Sequence, residues 1–222
     1  MMSGTVAGRV YADRGAAGRA LAEALRDTDW VDPVVLGLAR GGVPVAAEVA
    51  AELKAPLDVA VARKIGAPGR PEFGIGAVTA HGPMVVDDHS VRLLGLTRED
   101  LDRAGARERE EVLRRLDVYQ RGREPERIEG RDVLLVDDGL ATGVTATAAL
   151  RSLRREGPRR LVFASPVCAP QAASALRAEA DRVVCVSEPA NFQAVGQWYG
   201  DFSQTDDDEV VALLARYSGR TP

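Results

Sequence analysis

Residues 133–145 read VLLVDDGLATGVT and bring two carboxylates, two hydroxyls and a glycine-bearing turn into one short stretch. Val133 to Val136 have the composition of a buried strand, which would deliver Asp137 and Asp138 to the carboxyl edge of a sheet. Gly139 permits a turn, and Ala141, Thr142, Gly143, Val144 and Thr145 lead into a helix. Free backbone N–H groups at that helix start, two hydroxyls and the positive end of a helix dipole converge on one point, an anion site suited to a phosphate. Carboxylates this close would repel a bare phosphate, yet they can accept hydrogen bonds from the hydroxyls of a sugar that carries it. A ribose 5-phosphate satisfies both halves. The plainer alternative, an Asp-Gly turn before an ordinary helix, accounts for only part of the pattern. No Lys follows Gly143 where a Walker loop requires one, and no GxGxxG occurs.

Two further groups carry candidate chemistry. Arg40, Gly41 and Gly42 follow the apolar run PVVLGL and precede a helical segment. The glycines allow close backbone approach and Arg40 can neutralise an anion, although Gly-Gly is also a common plain turn. Arg63 and Lys64 end a second apolar run, as anion ligands or as a solvated basic pair. Lys54 and Lys64 are the only lysines, so the Arg preference reflects a general bias and a single Arg carries less information than usual.

Other chemistries are poorly supplied. Cys168 and Cys185 sit in apolar surroundings without metal-ligand spacing and read as buried structural thiols. His81 and His89, the only histidines, lack a carboxylate cluster with metal spacing, so a zinc or iron enzyme is not expected. The net charge of −4 gives no general basic surface for nucleic acid. The densest charge run, residues 97–124, mixes both signs and reads as a solvated helix. No apolar run approaches a membrane span and the first residues lack a signal-peptide core, so the expected location is cytoplasmic.

The elements that must position these residues alternate. A helix is expected from residue 14, a strand at PVVLGLA, a helix at VPVAAEVAAEL and a strand at PLDVAVARK. Residues 64–76, rich in Gly and Pro, read as an irregular mobile connection and a lid candidate. AVTAHGPMVVDD supplies one or two short strands, and the charged helix opens with Thr97 as N-cap and Asp100 three residues on. Strand, helix, strand, helix and strand then follow from residue 132 to 187. A final helix is expected with Thr205 as cap and Asp208 three residues on. The expected fold is α/β, a mainly parallel core sheet with helices on both faces, in a single domain over residues 1–222. Ligands of such sheets bind beyond the carboxyl ends of the strands.

The stretch 133–145 resembles the phosphoribosyl pyrophosphate signature of the type I phosphoribosyltransferases, and RKIGAPG, PEF and VDDGxATG resemble a bacterial group within that family. The resemblance implies a flexible loop and a small hood over the site, with residues 187–222 as the hood or C-terminal cap. It implies that Asp137 and Asp138 bind the ribose hydroxyls, that Ala141 to Thr145 cradle the 5-phosphate, and that Arg40, Gly41 and Gly42 bind pyrophosphate, with Arg63 and Lys64 in reach of it. In NFQAVGQWYGDF, Phe192 and Asp201 correspond to a base-stacking aromatic and a nearby acid of the 6-oxopurine members; the same aromatics can instead pack the tail onto the core. Two departures stand out: Ala141 occupies the place of the family's general-base Asp, and SPVCAP has no lysine to contact a purine oxygen. The implied activity is transfer of a 5-phosphoribosyl group from phosphoribosyl pyrophosphate to a nitrogen nucleophile of nucleobase type, with Mg²⁺ carried by the donor near Asp137 and Asp138. The implied partners are the donor and a small acceptor, with homo-oligomerisation left open. The alternatives are a non-catalytic sensor of phosphoribosyl pyrophosphate or nucleotide, and a hydrolase or pyrophosphorylase acting on the same donor.

Overall fold

The structure, a computed structural model, describes residues 10–217. Its centre is a five-stranded parallel sheet in the order β2-β1-β6-β7-β8, formed by Leu57–Ala60, Val34–Leu38, Asp132–Val136, Arg160–Val167 and Arg182–Ser187. Residues of β1, β6 and β7 alternate between two cores, the period-2 outcome of a sheet covered on both faces. Val35, Leu134, Val136, Val162 and Ala164 pack with α1 (Arg14–Leu25), α2 (Gly42–Leu53) and α7 (Asp207–Tyr217). Val34, Leu36, Val133, Leu135, Leu161 and Phe163 pack with α5 (Val144–Arg154) and α6 (Pro170–Leu176).

The sequence of strands matters for function. From β1 the chain moves outward to β2, returns to the centre at β6 and then moves the other way through β7 to β8. The direction of winding therefore reverses between β1 and β6, and a crevice opens beyond the carboxyl ends of these two neighbours. Residues 39–41 and 137–139 are the first residues past those ends.

The segment between β2 and β6 departs from the expected layout. PLDVAVARK is not one strand: Val61 separates β2 of the parallel sheet from β3 (Ala62–Ala67), which belongs to an antiparallel sheet with β4 (Arg70–Thr79) and β5 (Val85–Val86). Residues 64–76 are accordingly a hairpin with irregular register rather than an unstructured connection. Ile65 and Ala67 are buried at alternate positions of β3 and residues 75–79 of β4 are buried without a break, a strand burial that the glycine and proline content hides. The glycines have specific uses: Gly69 takes the turn at φ +72°, and a Cβ on Gly76 would lie 2.2 Å from the carbonyl oxygen of Val85. Two helices follow, α3 (Asp88–Leu94) and α4 (Arg98–Gln120). The expected capping box of α4 is present, the Thr97 hydroxyl accepting from the Asp100 N–H while the Asp100 carboxylate accepts from the Thr97 N–H and O–H. At α7 the cap shifts one residue: the carboxylate of Asp206 accepts from the Glu209 N–H, and Thr205 is buried instead.

The expectation of two free thiols is corrected. Cys168 and Cys185 form a disulfide, with Cα atoms 6.1 Å apart. β7 and β8 pair in parallel with Val167 opposite Ser187, so Cys168, just past the pairing, reaches Cys185 on the neighbouring strand.

Candidate functional site

The two central loops interlock through glycine. The turn after β1 contains a cis peptide between Ala39 and Arg40 and enters α2 at Gly42. A Cβ on Gly41 would stand 2.0 Å from Asp138 Oδ2, and one on Gly42 would stand 2.4 Å from the Val136 carbonyl oxygen. A side chain at Gly42 would clash with backbone and one at Gly41 would have to displace the Asp138 carboxylate, so the Arg40-Gly41-Gly42 turn packs directly against the acidic pair. Arg40 itself pairs with Asp207 at 3.5 Å, and Asp207 Oδ1 accepts from the hydroxyl of the buried Tyr119 at 2.7 Å. Burial, then the Asp207 hydrogen bond, push the Tyr119 hydroxyl up to about 12.

The acidic pair is held from several directions. The Asp138 N–H donates to Asp137 Oδ1 at 2.9 Å, and Arg14, the first residue of α1, donates to Asp138 Oδ2 at 2.8 Å. Arg14 also donates to the Ser203 carbonyl at 2.6 Å and lies 4.2 Å over the Phe202 ring. The Tyr199 hydroxyl donates to the Asp138 carbonyl at 2.5 Å. Burial lifts the Asp137 carboxyl well above the usual carboxylate range and the charge of Asp138 adds to it, while Arg14 and Lys64 pull the other way. Burial also raises Asp138, opposed by Arg14. Raised carboxylates in a crevice cost stability and are expected where a polar ligand supplies the missing partners.

The remainder of the loop is the stretch expected to cradle an anion. Leu140 is pinned to the end of β7, its N–H donating to Val167 and its carbonyl accepting from Ala169. Gly143 turns the chain with φ +77°, and no side chain caps the start of α5. By position, the amides of Val144, Thr145 and Ala146 have no intrahelical acceptor, so they face outward as donors with the helix dipole behind them. Thr142 and Ala141 are exposed, and Val144 and Thr145 half-buried.

A cavity of about 1350 Å³ opens beside this cradle, lined by Thr142, Val144 and Thr145, by the β3–β4 hairpin including Arg63 and Lys64, and by one face of α4. Arg63 is engaged with Glu108 of α4 at 2.6 Å, whereas Lys64 is exposed. Phe192 and Asp201 do not line this cavity. Phe192 is half-buried against apolar residues of the tail and β7, and Asp201 is exposed, its carboxylate accepting from the Ser203 N–H. Trp198 and Tyr199 are buried with Tyr11, so the tail aromatics do pack, and Val195 seats against Gly139, where a Cβ would come within 2.2 Å of it. Arg14, Tyr199 and Asp207 join the site without having been expected there. Arg14 lies 124 residues from Asp138, and no local pattern links them. Among the described residues no group of three or more His, Cys, Asp or Glu could hold a metal, and no helix is long and apolar enough to cross a membrane.

The model of the phosphoribosyl transferase domain matches residues 10–200, which span both central loops, the hairpin and the tail aromatics. The chain belongs to the phosphoribosyl transferase family. Two Mycobacterium tuberculosis proteins, named only provisionally as phosphoribosyl transferases, are each 45% identical to it over 208 residues, covering 94% of this chain and 47% of their own. The chain thus spans about half the length of the curated relatives it matches. The crystal structure of TT1426 from Thermus thermophilus is similar at 46% identity and a TM-score of 0.81, covering 95% of this chain and 100% of that one. The phosphoribosyl transferase fold and the meeting of the 39–42 and 137–145 loops at one sheet edge are therefore the frame in which the chemistry is read.

Proposed function

We propose that this phosphoribosyl transferase moves a 5-phosphoribosyl group from phosphoribosyl pyrophosphate to a nitrogen of a nucleobase-like acceptor. The observation that carries the reading is the convergence, at the β1–β6 switch point, of the uncapped α5 start, the Asp137–Asp138 pair and the Arg40-Gly41-Gly42 turn. In this assignment Ala141, Thr142, Gly143, Val144 and Thr145 take the 5-phosphate through backbone N–H and hydroxyl donors. Asp137 and Asp138 accept from the ribose 2- and 3-hydroxyls, and binding of those donors offsets the burial of the two charges. Gly41 and Gly42 let the pyrophosphate approach the backbone.

As the acceptor nitrogen bonds to the anomeric carbon, the bond to the pyrophosphate oxygen breaks and its electrons leave with that oxygen. Arg40 and Lys64, with Arg63 if it exchanges Glu108 for the ligand, stabilise that charge, so catalysis rests on position and electrostatics. The hairpin 62–79 is the element that would cover the donor and exclude water. Mg²⁺ fits this donor set, because Asp137 and Asp138 are hard oxygen ligands, Asp138 is largely committed to Arg14, and the pyrophosphate and ribose oxygens make up the rest. When bound it supplies charge neutralisation at the leaving group. Residues 187–217 act as a cap whose aromatics hold the donor loop, with Phe192 and Asp201 as its candidates for the acceptor side. With Ala141 in the loop, no carboxylate stands there as a base, so the acceptor is deprotonated elsewhere or already nucleophilic.

The test is pyrophosphate release from protein, Mg²⁺ and phosphoribosyl pyrophosphate with a panel of bases, alongside donor binding by calorimetry. Turnover with at least one base supports the assignment. Donor binding without turnover across a broad panel favours a sensor, release that needs no base favours a hydrolase, and donor binding unchanged by Asp137→Ala with Asp138→Ala defeats the site.

A further inference from the structure

The charge run 97–124 reads in isolation as a solvated helix, but the fold gives one side of it a different setting. Asp100, Arg103, Ala104, Arg107, Glu108 and Arg115 line the 1350 Å³ cavity, spaced as one face of α4. Leu101, Gly105, Val112 and Tyr119 are buried and fix that face in place. The helix is therefore a wall of the same cavity whose other side carries the α5 cradle.

The charges on the lining do not cancel. Among the described residues, five cations, Arg63, Lys64, Arg103, Arg107 and Arg115, meet three acids, Asp87, Asp100 and Glu108. Each acid is already committed: Asp87 caps α3, Asp100 closes the capping box of α4, and Glu108 holds Arg63. Arg115 is paired with Glu111, which it shares with Arg114 and whose carboxyl these two hold down at about 2. Arg103 has only Glu99, in a pair whose side chains are 71% and 82% exposed and which water screens. Among the described residues, Arg107 makes no ion pair or hydrogen bond. Among the described residues, the lining thus presents Arg107 and a weakly held Arg103 one turn apart, with no uncommitted acid beside them.

The donor takes up only part of this lining, its 5-phosphate at the α5 start and its pyrophosphate at the Arg40 turn within reach of Arg63 and Lys64, and the cavity, larger than the roughly 300–1000 Å³ of a usual small-ligand site, leaves the α4 wall unassigned. We infer that Arg107 and Arg103 form a second anion subsite, which takes an acidic group, carboxylate or phosphate, borne by the acceptor, and which places the acceptor on the α4 side of the donor in preference to Phe192 and Asp201 of the cap. The inference rests on the phosphoribosyl transfer reading for the word acceptor, while the subsite itself is a property of the cavity. It makes the substrate class an acidic ring rather than a neutral base.

The test is calorimetric titration of protein saturated with Mg²⁺ and phosphoribosyl pyrophosphate with benzoate, phenyl phosphate and benzamide, which share a ring and differ in charge. The expected result is that at least one anion binds tenfold or more tighter than benzamide, benzoate or phenyl phosphate identifying the acidic group. That preference falls at least tenfold in Arg107→Ala with Arg103→Ala, is partly kept in Arg107→Lys, and leaves donor affinity within twofold. Equal binding of all three probes, or a preference that survives the double substitution, overturns the subsite. If the donor itself does not bind, the transfer reading fails instead, and the same titration of the free protein still decides whether anion preference depends on Arg107.

Discussion

Gly41→Ala isolates the contact between the two central loops. Gly41 has φ −58° and ψ −29°, a conformation alanine adopts readily, so the backbone contributes no penalty and the unfolded chain loses some entropy in favour of folding. The whole cost comes from the new Cβ, 2.0 Å from Asp138 Oδ2 and 2.7 Å from its carboxyl carbon. That carboxylate cannot simply turn away, since it is paired with Arg14 and both side chains are only 12–13% exposed. Displacing it gives an overpacking penalty of about 1–3 kcal/mol. At about 2–4 °C per kcal/mol for a chain of this size, Tm falls by roughly 2–12 °C. In an Asp138→Ala background both close atoms are gone and the next, the Arg14 Nε, stands 3.3 Å away, so Gly41→Ala becomes neutral or slightly stabilising. A double-mutant cycle by thermal and denaturant unfolding thus reads a coupling of about 1–3 kcal/mol. Donor affinity in the single Gly41→Ala variant falls at least tenfold, because the carboxylate proposed to bind the ribose has moved. An equal cost of Gly41→Ala in both backgrounds would refute the interlock.

Three further outcomes follow from particular contacts. Because burial and Asp138 raise the Asp137 carboxyl, the folded protein keeps a proton that the unfolded chain has released, so stability falls as pH rises from about 4 toward the raised value. Asp137→Asn removes that loss: the variant melts higher than the parent at neutral pH, the gap closes on acidification, and donor binding is lost; a melting series over pH that shows no closing gap would contradict the assignment. The Cys168–Cys185 bond closes a span of 17 residues, for which chain entropy gives about 3 kcal/mol, so a reductant or Cys185→Ser lowers Tm, checked by calorimetry with and without dithiothreitol. Thr97→Ala removes the hydroxyl arm of the α4 capping box and costs about 1 kcal/mol; since α4 walls the cavity, the loss is read both in urea unfolding and in weaker benzoate or phenyl phosphate binding.

What the sequence disclosed and what it hid divide along the range of the interactions. The strands at 34–38, 132–136 and 160–167, and the capping box at Thr97, are written in adjacent residues and were legible as such. The hairpin at 62–79 was obscured because its glycines, two of which serve the turn at Gly69 and the approach of β5 at Gly76, look like those of a loop, while the apolar residues that decide it, Ile65, Ala67, Ile75, Ala77 and Val78, are split by that turn. The disulfide and the Arg14–Asp138 pair depend on which strands are neighbours, and strand order is not a local property. The same holds for α4, whose charge pattern is that of a solvated helix and whose role depends on what stands across from it. Glycine is the partial exception. Gly41, Gly42 and Gly139 each sit where a Cβ would meet a distant segment within 2.4 Å, so a glycine just past the end of a core strand reports a long-range contact that periodicity and charge do not reveal. At such positions the absence of a side chain is the chemical requirement, because it allows the proposed donor-binding carboxylates and the proposed pyrophosphate turn to share one crevice.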